Sequence, residues 1–525
     1  MGGRVRGLLV PTLLSLVSAG LLLLCFPPYE RAWLAWVGLA PLLVALGQVR
    51  RPGQGAWCGL VFGVVFFTGI NRYLMTYGFL PAVLVGLLEA APAVLFGAVA
   101  VYLCRERGSW ERALGLAGAW TLAEALRANL WGLSLTFGQL GYTQHANLPL
   151  LQTASVAGVL GISFLLALVN ASLAGLLTPA GGCGRRVRRA FSVLVSVAVV
   201  VGVGLAGQHE LAQPPAAGPS LSVGVAQPNV PLHTPVTAED TLLCRNDYPQ
   251  ATDELMQACG GVGSGDPRLP QLVVWPETAF PVALNCAPDF DLAARATAMR
   301  DQVWLLMGAL NQTEASQVFN NAWLFDDQGQ LRGTYSKMDL VMFGEYVPYR
   351  DKLPFLKKYP LRDFDFSRGT DRNLLTFGNY HLGSLICFEA IFPEPARELT
   401  RRGAEFLVFL TSDAWAEHSM EVLLHSDTAP LRAVENGRWV VRAAATGRSA
   451  IISPHGELVA TVEPWQAGNI QALITPRRDL TFYTQHGDAP LLVLCALLML
   501  PPWLAGRRRW RRRRREIVLG PEDWK

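Results

Sequence analysis

Long apolar runs punctuated by arginine constrain this chain more than any other feature. Eight stretches are apolar enough, and near enough to the roughly 20 residues a bilayer core demands, to read as membrane spans. They are 8–26, 32–48, 56–71, 81–104, 112–127, 160–178, 190–207 and 489–506. Cationic segments fall on every second connection: Arg4 and Arg6, Arg50 and Arg51, Arg105 with Arg107 and Arg112, Arg185 to Arg189, and the Arg507–Arg515 run. The short connections between them, 27–31, 72–80 and 128–159, carry far less positive charge. The positive-inside rule then predicts cytoplasmic termini and an extracytoplasmic 208–488 segment. Only 16% of the 525 residues are charged and 51% are hydrophobic. Soluble domains carry about 25% charged residues, so this balance excludes a disordered chain and argues against a purely soluble one.

Four parts follow: a seven-span membrane domain at 1–207, a soluble domain at 220–480, an eighth span at 489–506 and a basic cytoplasmic tail at 507–525. The first apolar run lacks an A-x-A-like cleavage site, and Leu24 before Cys25 is too large for a lipobox, so it reads as a span. Gly55, Gly59 and Gly63 recur every fourth residue, which lets helices approach closely. Gly202, Gly204 and Gly207 match a dinucleotide fingerprint but lie inside an apolar span, so no nucleotide site is expected. Glu89 and Glu124 fall within apolar spans, where a carboxylate is either functional or water-facing near a helix end. The arginine-rich tail follows a span directly. It is expected to face anionic lipid, not nucleic acid.

The soluble part reads as a layered α/β domain. Apolar, β-rich runs recur at 221–226, 272–275, 303–310, 322–325, 331–335, 382–387, 406–410, 439–444, 450–453 and 470–474, with a hairpin loop at 326–330. Helical patterns fall at about 290–300, 394–402 and 417–436. Of nine cysteines, Cys244, Cys259, Cys286 and Cys387 lie here. The compartment allows a disulfide among the first three, and sequence does not choose a pair. With no CxxC and no HExxH, no metal site is expected. The absence of a GxSxG elbow removes support for an ordinary serine hydrolase.

Three segments each end an apolar strand on a reactive side chain: Val273-Val-Trp-Pro-Glu277, Tyr335-Ser-Lys337 and Leu385-Ile-Cys387-Phe-Glu389. Taken singly, the cysteine is an ordinary core residue, the glutamate a loop charge and the lysine a surface group. Together they supply a thiol nucleophile, a carboxylate to carry its proton, and a cation to favour the thiolate and hold an oxyanion. The product of that set is a thioester.

These motifs resemble the nitrilase superfamily and, more narrowly, the bacterial apolipoprotein N-acyltransferase family. The narrower resemblance rests on Phe343-Gly-Glu-Tyr-Val-Pro348, Thr411-Ser-Asp-Ala-Trp415, Leu431–Arg438 and Val441–Gly447. In the membrane part it rests on Phe26-Pro-Pro-Tyr29, Trp120–Arg127 and 152–164. It implies an αββα sandwich on a membrane bundle, in a bacterial inner membrane. It implies Glu277 as general base, Lys337 as oxyanion stabiliser and Cys387 as nucleophile. Glu345 and Glu389 would support the site, and the Phe388 N–H would serve the oxyanion. The implied reaction is ping-pong. Cys387 takes an acyl chain from a phospholipid, typically phosphatidylethanolamine, and passes it to the N-terminal amine of a diacylglyceryl-cysteine on an apolipoprotein. No cofactor and no metal are implied. A membrane-tethered nitrilase-type amidase is the alternative.

The segments Val341-Met-Phe343 and Leu353–Tyr359 set apolar groups beside Lys357 and Lys358, as either a packed loop or a lipid-dipping one. Departures from the family pattern are Met342, Ala416, Pro430 and the region of Thr237, where a tryptophan is expected. None touches the catalytic three.

Overall fold

The computed structural model describes residues 2–105, 109–129, 136–178, 183–214, 218–230, 236–352, 365–414 and 419–500. Arg107, the 353–359 loop, Trp415 with Ala416, the last residues of the eighth span and the Arg507–Arg515 tail lie outside these residues. The chain divides into two units, Met1–Leu211 with Asp488–Lys525, and Ala212–Gly487.

The first unit is helical: α1 (Gly2–Leu23), α2 (Ala40–Gln48), α3 (Pro52–Ile70), α4 (Phe79–Glu89), α5 (Ala91–Leu103), α6 (Ser109–Ala128), α7 (Leu148–Leu151), α8 (Ala154–Leu177) and α9 (Cys183–Leu211). The helix Ala489–Leu500 completes it. Four stretches are long and apolar enough to cross a membrane: Pro52–Ile70, Phe79–Leu103, Ala154–Leu177 and Arg186–Leu211. The last bares Phe191, Leu194, Val201 and Leu205 on its outer face, as lipid contact demands and water does not. The glycine spacing serves close approach. A Cβ on Gly55 would meet the Gly97 carbonyl oxygen at 2.2 Å, and one on Gly59 would meet that of Ala93 at 2.1 Å.

Three expected spans differ. Residues 32–48 form a 3-10 turn (Ala32–Trp36) and then α2, whose nine residues rise about 14 Å, half a bilayer core. Pro41 opens α2. The buried Asn170 side chain then closes the break, accepting from the Leu39 and Ala40 N–H groups at 2.9 Å each and donating to the Ala35 carbonyl at 2.8 Å. The 81–104 run is two helices meeting at Ala90, with Pro92 in the first turn of α5. Helix α6 matches 112–127 but carries Arg112, Glu124 and Arg127, all buried, and is not among the four apolar stretches. Glu89 and Glu124 do not face water. Asn71 donates to Glu89 at 2.7 Å and Arg127 stands 3.5 Å from it, while Glu124 accepts from the Trp120 indole and the Leu140 N–H at 2.9 Å each.

The second unit has two sheets. The strands are β1 (Leu221–Gln227), β2 (Leu272–Val274), β3 (Phe280–Ala283), β4 (Trp304–Gln312), β5 (Val318–Phe325), β6 (Leu331–Ser336), β7 (Leu375–Phe377), β8 (Tyr380–Ile386), β9 (Phe406–Thr411), β10 (Val440–Ala444), β11 (Ser449–Ile452), β12 (Leu458–Val462) and β13 (Gly468–Ile474). One sheet runs β13-β1-β2-β4-β5-β6 with β3 against β4; the other runs β12-β11-β10-β9-β8-β7. Alternate residues part the two sides of each strand. Leu272 and Val274 face the second sheet's Ile386 and Val408. Val273 faces outward, onto the layer formed by α10 (Ala238–Ala258) and α11 (Pro288–Asp301). Leu407 and Phe409 likewise face α12 (Pro393–Arg401) and α14 (Ala429–Asn436). The result is the αββα sandwich.

The ten expected strands are present. The structure adds β3, β7, β12 and α10. Thr237, near the place where the family pattern has a tryptophan, is the N-cap of α10: its hydroxyl accepts from the Asp240 N–H at 3.1 Å while the Asp240 carboxylate accepts from the Thr237 N–H at 2.8 Å. The single helix expected over 417–436 is α13 (Glu421–Ser426) and α14, separated where Pro430 enters the first turn of α14. Cys244, Cys259 and Cys286 are all unpaired.

Candidate active site

The three strand-end motifs converge because β2 and β6 belong to one sheet and β8 to the sheet facing it. Glu277 leaves β2 through Trp275-Pro276. A Cβ on Gly308 of β4 would lie 2.6 Å from the Glu277 Cα, so only glycine lets this segment cross the sheet end. Glu277 is buried. Its Oε1 accepts from Asn320 Nδ2 at 2.7 Å and its Oε2 from the Ser412 N–H at 2.8 Å. Lys337 follows β6 and is 1% exposed. Its ammonium donates to Glu345 Oε1 at 2.8 Å and lies 3.6 Å from Glu277 Oε1. Burial opposes its charge, but Glu345, Glu277 and the Cys387 sulfur outweigh burial and hold its pKa above the ordinary lysine value.

Glu345 is set by its own loop. Its Oε2 accepts from the Val341 N–H at 2.8 Å, and its backbone N–H donates back to the Val341 carbonyl at 2.8 Å. Asn320 joins both carboxylates, reaching Glu345 Oε1 at 3.5 Å.

Cys387 directly follows β8 and opens a 3-10 helix, Cys387–Ile391. Its φ is +53°, a left-handed conformation that costs a non-glycine residue about 1–3 kcal/mol and persists only where the surroundings enforce it. Glu389 is one of the enforcing groups. Its Oε2 accepts from the Ile386 N–H at 2.9 Å, and its Oε1 accepts from the Tyr335 hydroxyl and the Met338 N–H at 2.8 Å each and the Asp339 N–H at 3.1 Å. One carboxylate thus ties the residue before Cys387 to the residues flanking Lys337. Arg372 stands 3.5 Å from Glu389 and also pairs with Asp339 and Glu398. Phe388 packs edge-on against Phe392 at 5.4 Å.

Lys337 favours the Cys387 thiolate, as expected, but it is outweighed. Burial pushes the Cys387 thiol well above the usual range, and Glu277 adds to that more than Lys337 relieves it. The resting group is therefore a thiol with a carboxylate at hand.

Beyond Cys387, His425 of α13 places Nε2 3.2 Å from the Cys387 carbonyl oxygen and Nδ1 2.9 Å from Asp413 Oδ1. Arg442 on β10 donates to Asp413 Oδ2 at 3.1 Å. Asp413, Glu421 and His425 offer ligand atoms within 4.8 Å of one another, a geometry able to hold a cation. Arg442 already supplies Asp413 with the positive charge such an ion would bring. Sequence reasoning gave no role to Asn320, His425 or Arg442. Asn320 sits on β5 ahead of the apolar run that marks the strand. His425 lies in a segment read only as helical, and Arg442 lies within the Val441–Gly447 motif, where no role was given to it.

Family models described as the apolipoprotein N-acyltransferase N-terminal domain and as carbon-nitrogen hydrolase match residues 18–172 and 270–480. Among solved structures, an amidase from Nesterenkonia sp. is 20% identical, covering 53% of this chain and 97% or 96% of that chain in two structures, with a TM-score of 0.37. An apolipoprotein N-acyltransferase from Pseudomonas putida is 32% identical over 518 residues, 94% of this chain and 97% of that one. The protein of the same name from Geobacter metallireducens is 32% identical over 498 residues, 91% of each chain. Matched at this identity over nine-tenths of its length, the chain belongs to the apolipoprotein N-acyltransferase family.

Proposed function

We propose that this enzyme moves a fatty acyl chain from a membrane phospholipid, through a Cys387 thioester, to the N-terminal amine of the diacylglyceryl-cysteine of apolipoproteins. The observation that carries the reading is the buried Lys337 ammonium held between Glu345 at 2.8 Å and Glu277 at 3.6 Å, acting on the Cys387 thiol.

Glu277 takes the thiol proton as sulfur attacks the ester carbonyl. The oxyanion of the tetrahedral intermediate is met by Lys337 Nζ and the Phe388 N–H. Collapse breaks the ester C–O bond, and Glu277 returns the proton to the departing glycerol oxygen, leaving thioester and lysophospholipid. The acceptor amine then attacks the thioester. Glu277 takes the amine proton and delivers it to the leaving sulfur, which completes an amide. Glu345 keeps Lys337 charged and placed, and Glu389 holds the two strand ends together.

Phosphatidylethanolamine is the proposed donor. The membrane domain at 1–207 and the eighth span at 489–506 anchor a catalytic domain at 220–480 on the periplasmic side of the inner membrane, and the tail at 507–525 remains cytoplasmic. The arginine distribution supports that orientation. A reporter fused after Lys525 should read as cytoplasmic, and an external signal would overturn it. For the reaction, the full-length protein is incubated with phosphatidylethanolamine in detergent beside Cys387→Ala and weighed intact. A hydroxylamine-sensitive acyl adduct on the wild type alone is expected. No adduct, with amide hydrolysis instead, would favour a membrane-tethered amidase.

A further inference from the structure

The backbone at Cys387 has a second set of guards, and the proposed chemistry does not use them. His425 is 2% exposed and Asp413 fully buried, and together they form a chain from the Arg442 guanidinium to the Cys387 carbonyl. A carbonyl oxygen can only accept, so His425 Nε2 donates to it. The ionised Asp413 carboxylate can likewise only accept, so Nδ1 donates to it: both ring nitrogens carry hydrogen, and the two acceptors fix the ring's orientation. Asp413 stays ionised: burial opposes its charge, but Arg442 and His425 outweigh burial and hold it well below the usual carboxylate range. Glu421, whose two oxygens have no hydrogen-bond partner, is pushed well above that range by burial and by Asp413. It keeps its proton, so one carboxylate charge governs the ring.

The carbonyl of Cys387 and the N–H of Phe388 belong to one planar peptide group. Whatever fixes the oxygen fixes the direction of the N–H. The Cys387 φ of +53° leaves this peptide in a turn that an unsupported backbone would abandon. Donation to the oxygen also polarises the group and strengthens the N–H as a donor.

We infer that His425, oriented by Asp413, is a positioning residue: it locks the Cys387–Phe388 peptide so that the Phe388 N–H points at the oxyanion of the tetrahedral intermediate. The inference rests on the acyl-transfer reading and deepens it. Its signature is a split between two reactions of one sulfur. Alkylation by iodoacetamide forms no oxyanion and needs no hole. Acylation by phospholipid forms one.

The full-length protein in detergent, with phosphatidylethanolamine as acyl donor, separates these. His425→Leu should lower the acylation kcat by about 10²-fold, leave KM within about twofold and alkylation of Cys387 within about threefold. His425→Met, which fills the space without a donor, stands in if the leucine variant does not fold. His425→Gln can still donate to the carbonyl and should keep acylation within about tenfold of wild type. If neither donor-less variant folds, the glutamine variant decides by the same ratio of acylation to alkylation. Wild-type acylation in a folded donor-less variant overturns the inference. So does a parallel loss of acylation and alkylation, which is what mere structural damage gives, or a collapse of the ratio in the folded glutamine variant. Absence of any acyl-enzyme on the wild type fails the acyl-transfer reading itself and is distinguishable from all of these.

Discussion

Each unit holds a buried grouping of carboxylate, cation and asparagine that can be set beside one in the other. In the helical unit Glu89 takes a bond from Asn71 and faces Arg127 at 3.5 Å. In the sandwich, Glu277 and Glu345 share Asn320 and the single ammonium of Lys337. The first grouping sets Arg127 beside Glu89, and the same guanidinium also acts on the buried Glu124. The second has two carboxylates for one lysine, and a thiol on a left-handed backbone beside it. The first reads as a brace between α4 and α6. The second keeps its thiol protonated and holds a base ready. The strand-end thiol, more than burial or charge count, separates the site from the brace.

The largest effect expected from breaking this contrast is at Glu277. Glu277→Gln keeps the side chain's size and one acceptor oxygen, enough for either the Asn320 or the Ser412 contact, yet cannot accept a proton. Thioester formation from phospholipid should fall by about 10³-fold with the fold intact. Acyl-enzyme appearing at the wild-type rate, followed by intact mass over time, would remove Glu277 from the role of base. The brace should fail differently. Arg127→Met leaves the Glu89 carboxylate uncompensated in an apolar bundle and should destabilise the helical unit by about 3 kcal/mol. In molecules still folded, iodoacetamide should label Cys387 as in wild type. A selective loss of Cys387 reactivity without a lower unfolding temperature would give Arg127 a part in the site.

The same contrast explains what the sequence made legible. Glu277, Lys337 and Cys387 were readable because each ends a short apolar run, and a strand's alternation forces a residue just past its end into the rim of the sheet. The fold class followed from the same runs. Helix α10 was not readable, since it is polar along much of its length and contains Pro249. The break within 32–48 was not readable either. Hydropathy reports that a segment is apolar, and it is silent on a distant Asn170 side chain that satisfies the interrupted backbone. How far burial and Glu277 outweigh Lys337 at the sulfur was not readable for a related reason. The sequence shows that Lys337, Glu277 and Glu345 exist, but the order in which they claim one another is a matter of distance.

That order makes the finest prediction. The raised thiol of Cys387 means that the proton is retained at neutral pH and lost only in alkali. Alkylation depends on the thiolate fraction, so its rate should climb about tenfold per pH unit and show no levelling through about pH 9. An inflection near neutrality would mean that Lys337 outweighs burial and Glu277 at the sulfur. Glu345→Gln sharpens the test by changing the charge count alone. It removes one negative neighbour and the shortest contact of Lys337, so the ammonium acts more fully on the sulfur and the thiol pKa falls. Alkylation at neutral pH should then run several-fold faster than wild type, while acylation slows because Lys337 is no longer held in place. A variant more reactive toward iodoacetamide and less competent with phospholipid is the outcome that only an over-supplied carboxylate pair produces. Were Glu345 merely structural, both rates would decline together.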